Sequence, residues 1–514
     1  MTLFAHNLGL QFEEVVAEAS GLPALRYREK TYSYADLNAL ANRLAGYMLH
    51  NGSCPGDVVA IEHTKKVESY ALMLACLKIG VAYTNIDRNN PVKRTESILL
   101  QCSPKFLFVD TELTDDVRTI AKAASVICCD LSCLPLNDFS PDNPAENRTF
   151  AASRIAYIMF TSGSTGIPKG VAITHHNIES FILWTTKRYK VTSSDVFANI
   201  SPMYFDNSVF DFYTALFSGA SLAPIQKELL SKPKELLGEI DALECTIWFS
   251  VPSLLIYLLS IHALTPEAFQ TLRLISFGGE GFPKSELRKL FDLYKERIEF
   301  INVYGPTEGT CICSSYTISE KTFDTLEGLP PLGPLNPDFE SLVLDDEGKI
   351  AKQGELCLLG PNVGIGYYND LERTLKSFSL CYEHGFYGTP MYRTGDLVYE
   401  ENGLFFFIGR KDNQIKHMGY RIELEEIELA LNALKGVSQA SAIYERVSTS
   451  YGKIVAHVAS ENTLTQGKVR RALKEKLPEY MLPNVVLFYD TLPKNPNGKV
   501  DKKALSAKFN LISS

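Results

Sequence analysis

Short apolar runs followed by stretches of helical spacing recur along this chain, and that alternation is its strongest constraint on folding. Val58-Val59-Ala60-Ile61 precedes a helix-like segment over 69–79, and Tyr157-Ile158-Met159-Phe160, Leu274-Ile275-Ser276-Phe277 and Phe300-Ile301-Asn302-Val303 continue the pattern. A run of four largely apolar residues suits a strand covered on both faces, and strands alternating with helices build parallel sheets. Ser33 and Asp36 stand three apart ahead of Leu37, Leu40, Leu44 and Met48, a capping box opening an amphipathic helix. Between 329 and 407 glycine and proline become frequent and helical spacing fades, which predicts a small β-barrel-like unit. Beyond Arg410, strands at 454–458 and 485–488 mix with charged helices at 425–434 and 467–476. At 514 residues the chain exceeds the ~250–300 residues at which single cores stop growing. The expectation is therefore an α/β protein. Residues 1–411 form a large region of stacked α/β sheets with the β-barrel-like unit, and residues 412–514 a small mobile α+β C-terminal domain.

Composition excludes several classes. A formal charge of −9 argues against a nucleic-acid backbone as partner. The most apolar helix-like stretch, 254–264, is interrupted by Tyr257, Ser260 and His262 and falls short of the ~20 residues a bilayer requires. The N-terminus has no basic segment followed by a long apolar one, so membrane insertion is not expected. Eleven cysteines without CxxC spacing read as reduced thiols of a cytoplasmic protein rather than a disulfide framework or a zinc site.

One segment carries chemistry by its composition alone. Thr161-Ser162-Gly163-Ser164-Thr165-Gly166-Ile167-Pro168-Lys169-Gly170 directly follows a predicted strand. Its glycines permit close backbone approach, its hydroxyls donate hydrogen bonds, and Lys169 supplies a cation. Those are the needs of a triphosphate. The lysine does not stand in a GK[ST] context, so this is not the common P-loop.

The loop resembles the phosphate loop of the adenylate-forming superfamily, which includes acyl-CoA synthetases, luciferases and the adenylation domains of nonribosomal peptide synthetases. Further segments follow in the family's order: Leu77 to Tyr83 with Ile86-Asp87 and Pro91, Tyr304-Gly305-Pro306-Thr307-Glu308, Tyr392-Arg393-Thr394-Gly395-Asp396, Gly409-Arg410-Lys411-Asp412, and Asn497-Gly498-Lys499. Nearly the whole chain is covered. The resemblance implies ATP and Mg²⁺ as cofactors, with residues 161–166 and Lys169 on the phosphates and Thr165 and Glu308 taking part in catalysis. Glu308 would hold the Mg²⁺ and Tyr304 would stack on adenine. Gly279, Asn302 and Thr307 would border the nucleotide, and Asp396 and Arg410 would fix the ribose. Lys499, presented by an Asn497-Gly498 turn, would reach the substrate carboxylate and the α-phosphate, where a point charge orients the nucleophile and stabilises developing charge. Asp412 would be the hinge of the small domain, and Gly419 would border the path of an incoming thiol.

The acid to be activated is read from a second segment, Phe205-Asp206-Asn207-Ser208-Val209-Phe210. In amino-acid-activating members an aspartate at this place pairs with the α-ammonium, whereas beside a fatty acid's methylenes a buried carboxylate would be unpaired and costly. A helix N-cap is the structural alternative for Asp206. Asn207, Phe210, Phe249, Ile275, Phe277, Val303, Cys311 and Ile312 are expected around the side chain. They leave a short, dry pocket for glycine, alanine or a similar residue. The chain ends soon after Lys499 without a following carrier domain, so a free-standing ligase or an excised domain is expected. Its partner would be a separate carrier protein with a phosphopantetheine thiol, as in D-alanine–carrier protein ligases and nonribosomal peptide synthesis. Two alternatives stand beside this reading: an acyl- or aryl-CoA ligase of the same superfamily, and a catalytically silent nucleotide-binding regulatory protein.

Overall fold

The computed structural model describes residues 7–110, 114–383, 385–447, 452–460, 464–495 and 500–513. The chain divides into two compact units. The first comprises residues 1–88, 99–160 and 170–411; the second comprises 89–98, 161–169 and 412–514.

Two largely parallel sheets organise the first unit. In the eight-stranded one, Glu299–Tyr304, Leu274–Gly278, Ile247–Ser250, Val196–Asn199, Ser221–Pro224 and Pro23–Arg26 run parallel, with Ser314–Thr317 and Thr31–Ser33 antiparallel at the edges. The seven-stranded sheet runs Gly366–Tyr367, Lys169–Thr174, Ile155–Thr161, Ala82–Ile86, Val58–Glu62, Phe106–Val109, Ile127–Asp130. The predicted strands are central in these sheets, where both faces are covered, and Leu274–Gly278 is buried at every position.

Each face of the eight-stranded sheet has its own core. On one, Phe249, Ile301 and Val303 join a large cluster with Phe210 and with Leu37, Leu44 and Met48 of the helix Tyr34–His50. That helix starts with the predicted capping box: the Ser33 hydroxyl accepts from the Asp36 amide, and Asp36 accepts from the Ser33 amide. On the other face Trp248, Ile275, Phe277 and Phe300 pack with Leu236, Leu255 and Leu287 of three helices. The β-rich region is a five-stranded antiparallel sheet. The long strand Thr389–Glu401 pairs with Gln353–Leu359, Phe378–Cys381 and Leu404–Arg410.

The second unit carries a three-stranded sheet, Val437–Arg446, Gly452–Ser460 and Val485–Tyr489. Helices Leu424–Asn432 and Gln466–Lys474 cover it through Ile427, Leu431, Val469 and Leu473. A hairpin, Gln414–His417 with Tyr420–Glu423, precedes them, and Gly419 at its turn has φ +82°. Among the described residues, no helix is long and apolar enough to cross a membrane.

Candidate active site

In the first unit the motif residues converge where parallel strands end. Such C-terminal strand ends are where open α/β sheets place ligands. Glu299–Tyr304 runs directly into Gly305-Pro306-Thr307-Glu308. Thr310 and Cys311 both take left-handed backbone conformations, φ +56° and +71°. The chain thereby folds back so closely that a Cβ on Gly305 would strike the carbonyl of Cys311. Glu308 is completely buried, and its Oε1 accepts a 2.8 Å hydrogen bond from the Tyr367 hydroxyl. A carboxylate held this way suits a hard cation, which takes oxygen ligands. Tyr367, 59 residues away in sequence, was not singled out by any motif.

The Tyr392–Asp396 segment shows why a turn-like sequence presents one carboxylate. Arg393 pairs with Glu355 at 2.5 Å. The Thr394 hydroxyl donates to the Leu356 carbonyl at 2.6 Å. Gly395, at φ +72°, donates its amide to Glu355 at 3.2 Å. These bonds anchor the strand and leave Asp396 buried, its Oδ2 accepting from the Tyr304 hydroxyl at 2.6 Å and its Oδ1 from Arg410 Nη1 at 2.7 Å. Burial first, and the Asp396 charge second, push the Tyr304 phenol well above its usual range, so it stays a donor. Asp396, Tyr304 and Arg410, which come from three separate motifs, therefore form one connected group. Asn302 is placed differently: its side-chain amide donates to the Pro331 carbonyl at 2.8 Å.

Asp206 lies just ahead of the short helix Asn207–Val209, and its side chain makes no capping bond there. Instead its Oδ2 accepts from the Thr307 hydroxyl at 2.6 Å. Thr307, expected at the nucleotide, thus orients the carboxylate. Burial first, and the Asp206 charge second, raise the Cys311 thiol well above its usual range. Asn207 has a buried Nδ2 with no protein partner among the described residues and lies 3.9 Å from where a Cβ of Gly279 would stand. Gly279 is at φ +85°, a conformation that favours glycine.

The remaining expected lining residues divide. Phe210 and Phe249 meet edge to face, their centroids 5.4 Å apart, in the same core as Val303, Cys311 and Ile312. Ile275 and Phe277 do not join them: they point through the opposite face of the sheet, where Phe277 packs on Phe282 at 5.0 Å. Side chains alternate along a strand, so Ser276 and Gly278 face Phe249 and Val303. Phe249 is in register with Ser276, and Gly278 with Val303. A Cβ on Gly278 would lie 2.5 Å from the Val303 carbonyl oxygen, so this stretch of wall is bare backbone.

The loop 161–169 belongs to the second unit. Gly166, at φ +78°, closes a turn by donating its amide to the Gly163 carbonyl at 2.9 Å. Ser164 and Thr165 are exposed, and Thr161 Oγ1 is buried without a protein partner among the described residues. Lys169 Nζ lies 3.7 Å from Glu423. Asp412 is the first residue of this unit's long C-terminal segment. Asn497, Gly498 and Lys499 lie outside the described residues; Lys494 and Val500 on either side form an antiparallel bridge.

Comparison with known proteins agrees with this geometry. The AMP-binding enzyme family model matches residues 12–368, and that of the AMP-binding enzyme C-terminal domain matches 426–499. The chain is 31% identical to the D-alanine–D-alanyl carrier protein ligase of Bacillus mycoides over 96% of its own length and 98% of that protein's. It superposes on holo-PA1221, an NRPS protein containing adenylation and PCP domains, with a TM-score of 0.83 and 25% identity, covering 98% of this chain and 85% of that one. The Vibrio cholerae adenylation domain AlmE shares the fold at a TM-score of 0.81 and 23% identity, covering 99% of each. This chain belongs to the AMP-binding enzyme family: it is an ATP-using, AMP-forming ligase of the adenylate-forming superfamily.

Proposed function

We propose that this enzyme activates a small amino acid as its aminoacyl-adenylate and transfers it to the phosphopantetheine thiol of a separate carrier protein. The observation that carries this reading is Asp206. It is half-buried, oriented by Thr307 and not used as a helix cap. A carboxylate there is matched by an α-ammonium and by nothing on a fatty or aryl acid. The buried aromatic pair Phe210–Phe249 would leave room for only a short side chain, which favours glycine or alanine. The likeness to D-alanine–carrier protein ligases points the same way.

The reaction divides into two displacements. A substrate carboxylate oxygen attacks the α-phosphorus of ATP, forming the mixed anhydride while the bond to the bridging oxygen breaks and pyrophosphate leaves. The carrier thiol, losing its proton, then attacks the acyl carbon, and AMP departs with the electron pair of the broken anhydride bond. Asp206 orients the amino group, Tyr304 and Asp396 with Arg410 hold the nucleoside, and residues 161–166 with Lys169 bind the phosphates. Lys499 positions the carboxylate against the α-phosphate. Glu308 would hold Mg²⁺, which when bound offsets phosphate charge.

ATP–pyrophosphate exchange over single amino acids, including both alanine enantiomers, and over short fatty and aryl acids tests this reading. Exchange confined to small amino acids is expected. Exchange with fatty or aryl acids alone would replace it with a CoA-ligase assignment.

A further inference from the structure

The phosphate loop of this protein already holds anions of its own. Glu426, on the helix Leu424–Asn432, accepts the Gly163 amide of the loop at Oε2 (3.2 Å). Its Oε1 pairs with Arg94 at 2.8 Å, and both side chains are under a tenth exposed. Glu423 takes the loop's cation, Lys169, at 3.7 Å, and is held by Gln414 at 2.5 Å. Ser162 is occupied as well: its hydroxyl donates to the Arg421 carbonyl at 2.7 Å and accepts the Glu423 amide at 3.2 Å. A backbone amide, a hydroxyl and a lysine are the groups a polyphosphate would use, and here two carboxylates and one carbonyl use them.

We propose that Glu423 and Glu426 are internal anions that hold the phosphate loop in a closed, triphosphate-free form, so that the phosphates of ATP bind only by displacing them. This rests on the loop being the triphosphate site of the function proposed above. The two carboxylates, with the Arg421 carbonyl, and the polyphosphate are alternatives at the same three loop groups. The closed form therefore lowers the apparent ATP affinity by the fraction of molecules that are open. Burial raises the Glu426 carboxyl above its ordinary range, in keeping with a contact that is readily surrendered to a stronger anion.

Calorimetric titration of the full-length enzyme with ATP, with inorganic tripolyphosphate alone and with adenosine tests the proposal. Glu423→Gln and Glu426→Gln should each tighten ATP and tripolyphosphate by roughly three- to tenfold, through a larger open fraction, and leave adenosine unchanged. Should Glu426→Gln unfold because Arg94 loses its carboxylate, Arg94→Met with Glu426→Leu removes both buried charges together, a change that folded proteins tolerate. It should give the same gain. Unchanged or weaker ATP binding in the folded variants, or an equal gain for adenosine, would overturn the proposal. Wild-type enzyme that binds ATP but shows no loss of ATP affinity on Lys169→Ala would instead reject the loop as the triphosphate site.

Discussion

The hydroxyl of Thr307 lies 2.6 Å from Oδ2 of Asp206, joining two segments about a hundred residues apart. A charge-assisted bond of this length fixes the carboxylate before any substrate arrives, and preorganisation of this kind is what gives a charged recognition group its selectivity. Asp206→Ala should therefore abolish amino-acid-dependent pyrophosphate exchange while ATP affinity, measured by calorimetry, stays within about twofold. Thr307→Val, which keeps the shape and loses the donor, should raise the KM for the amino acid more than it changes kcat. Full exchange activity in Asp206→Ala would remove the argument for an amino substrate.

Lys499 is assigned by its motif. If it supplies charge at the α-phosphate, Lys499→Ala should slow adenylation by roughly 10²–10³. Transfer from a supplied aminoacyl-adenylate to the carrier should survive. Equal loss of both half-reactions in rapid-quench assays would show that the residue serves another step.

The two faces of the strand Leu274–Gly278 make opposite predictions. Ile275→Val, on the far face, should cost about 0.5–1.5 kcal/mol of stability in urea unfolding and leave the amino-acid profile untouched. Ser276→Val, on the near face, should change the profile in the exchange panel. A changed profile for Ile275→Val would mean that the lining is misassigned.

Stability should also depend on pH through His175. Its ring is buried with Nδ1 accepting the Leu8 amide at 3.1 Å, so the neutral form is favoured, and burial lowers its pKa from 6.5 to about 3. The unfolded chain then binds the proton first as pH falls. The contribution is complete above pH ~6.5 and drains away toward pH 3. By pH 5 the loss should reach about 2 kcal/mol, read as the difference in urea midpoints between pH 7.5 and 5. His175→Asn should shrink that difference. A midpoint difference identical to wild type would assign the acid sensitivity elsewhere.

What could be read from sequence follows from how local each signal is. The capping box at Ser33 and the strand before Thr161 lie within a few residues, and each is present. The GPTE segment carries its own glycine and hydroxyl, so its turn is specified locally, whereas RTGD lies within the strand Thr389–Glu401 and is held by Glu355 and Leu356. The pocket lining was harder. Leu274–Gly278 is buried on both faces, which erases the polar–apolar alternation that would have distinguished Ile275 and Phe277 from Ser276 and Gly278. Tyr367 on Glu308 and Glu426 on Gly163 are products of tertiary folding, the latter 263 residues apart. No local pattern reports such pairs.

Which bond of ATP is broken is read in one experiment, by a quench of enzyme, ATP and amino acid followed by nucleotide chromatography. AMP and pyrophosphate, appearing only when a small amino acid is present, are the predicted products. ADP and orthophosphate would contradict the account.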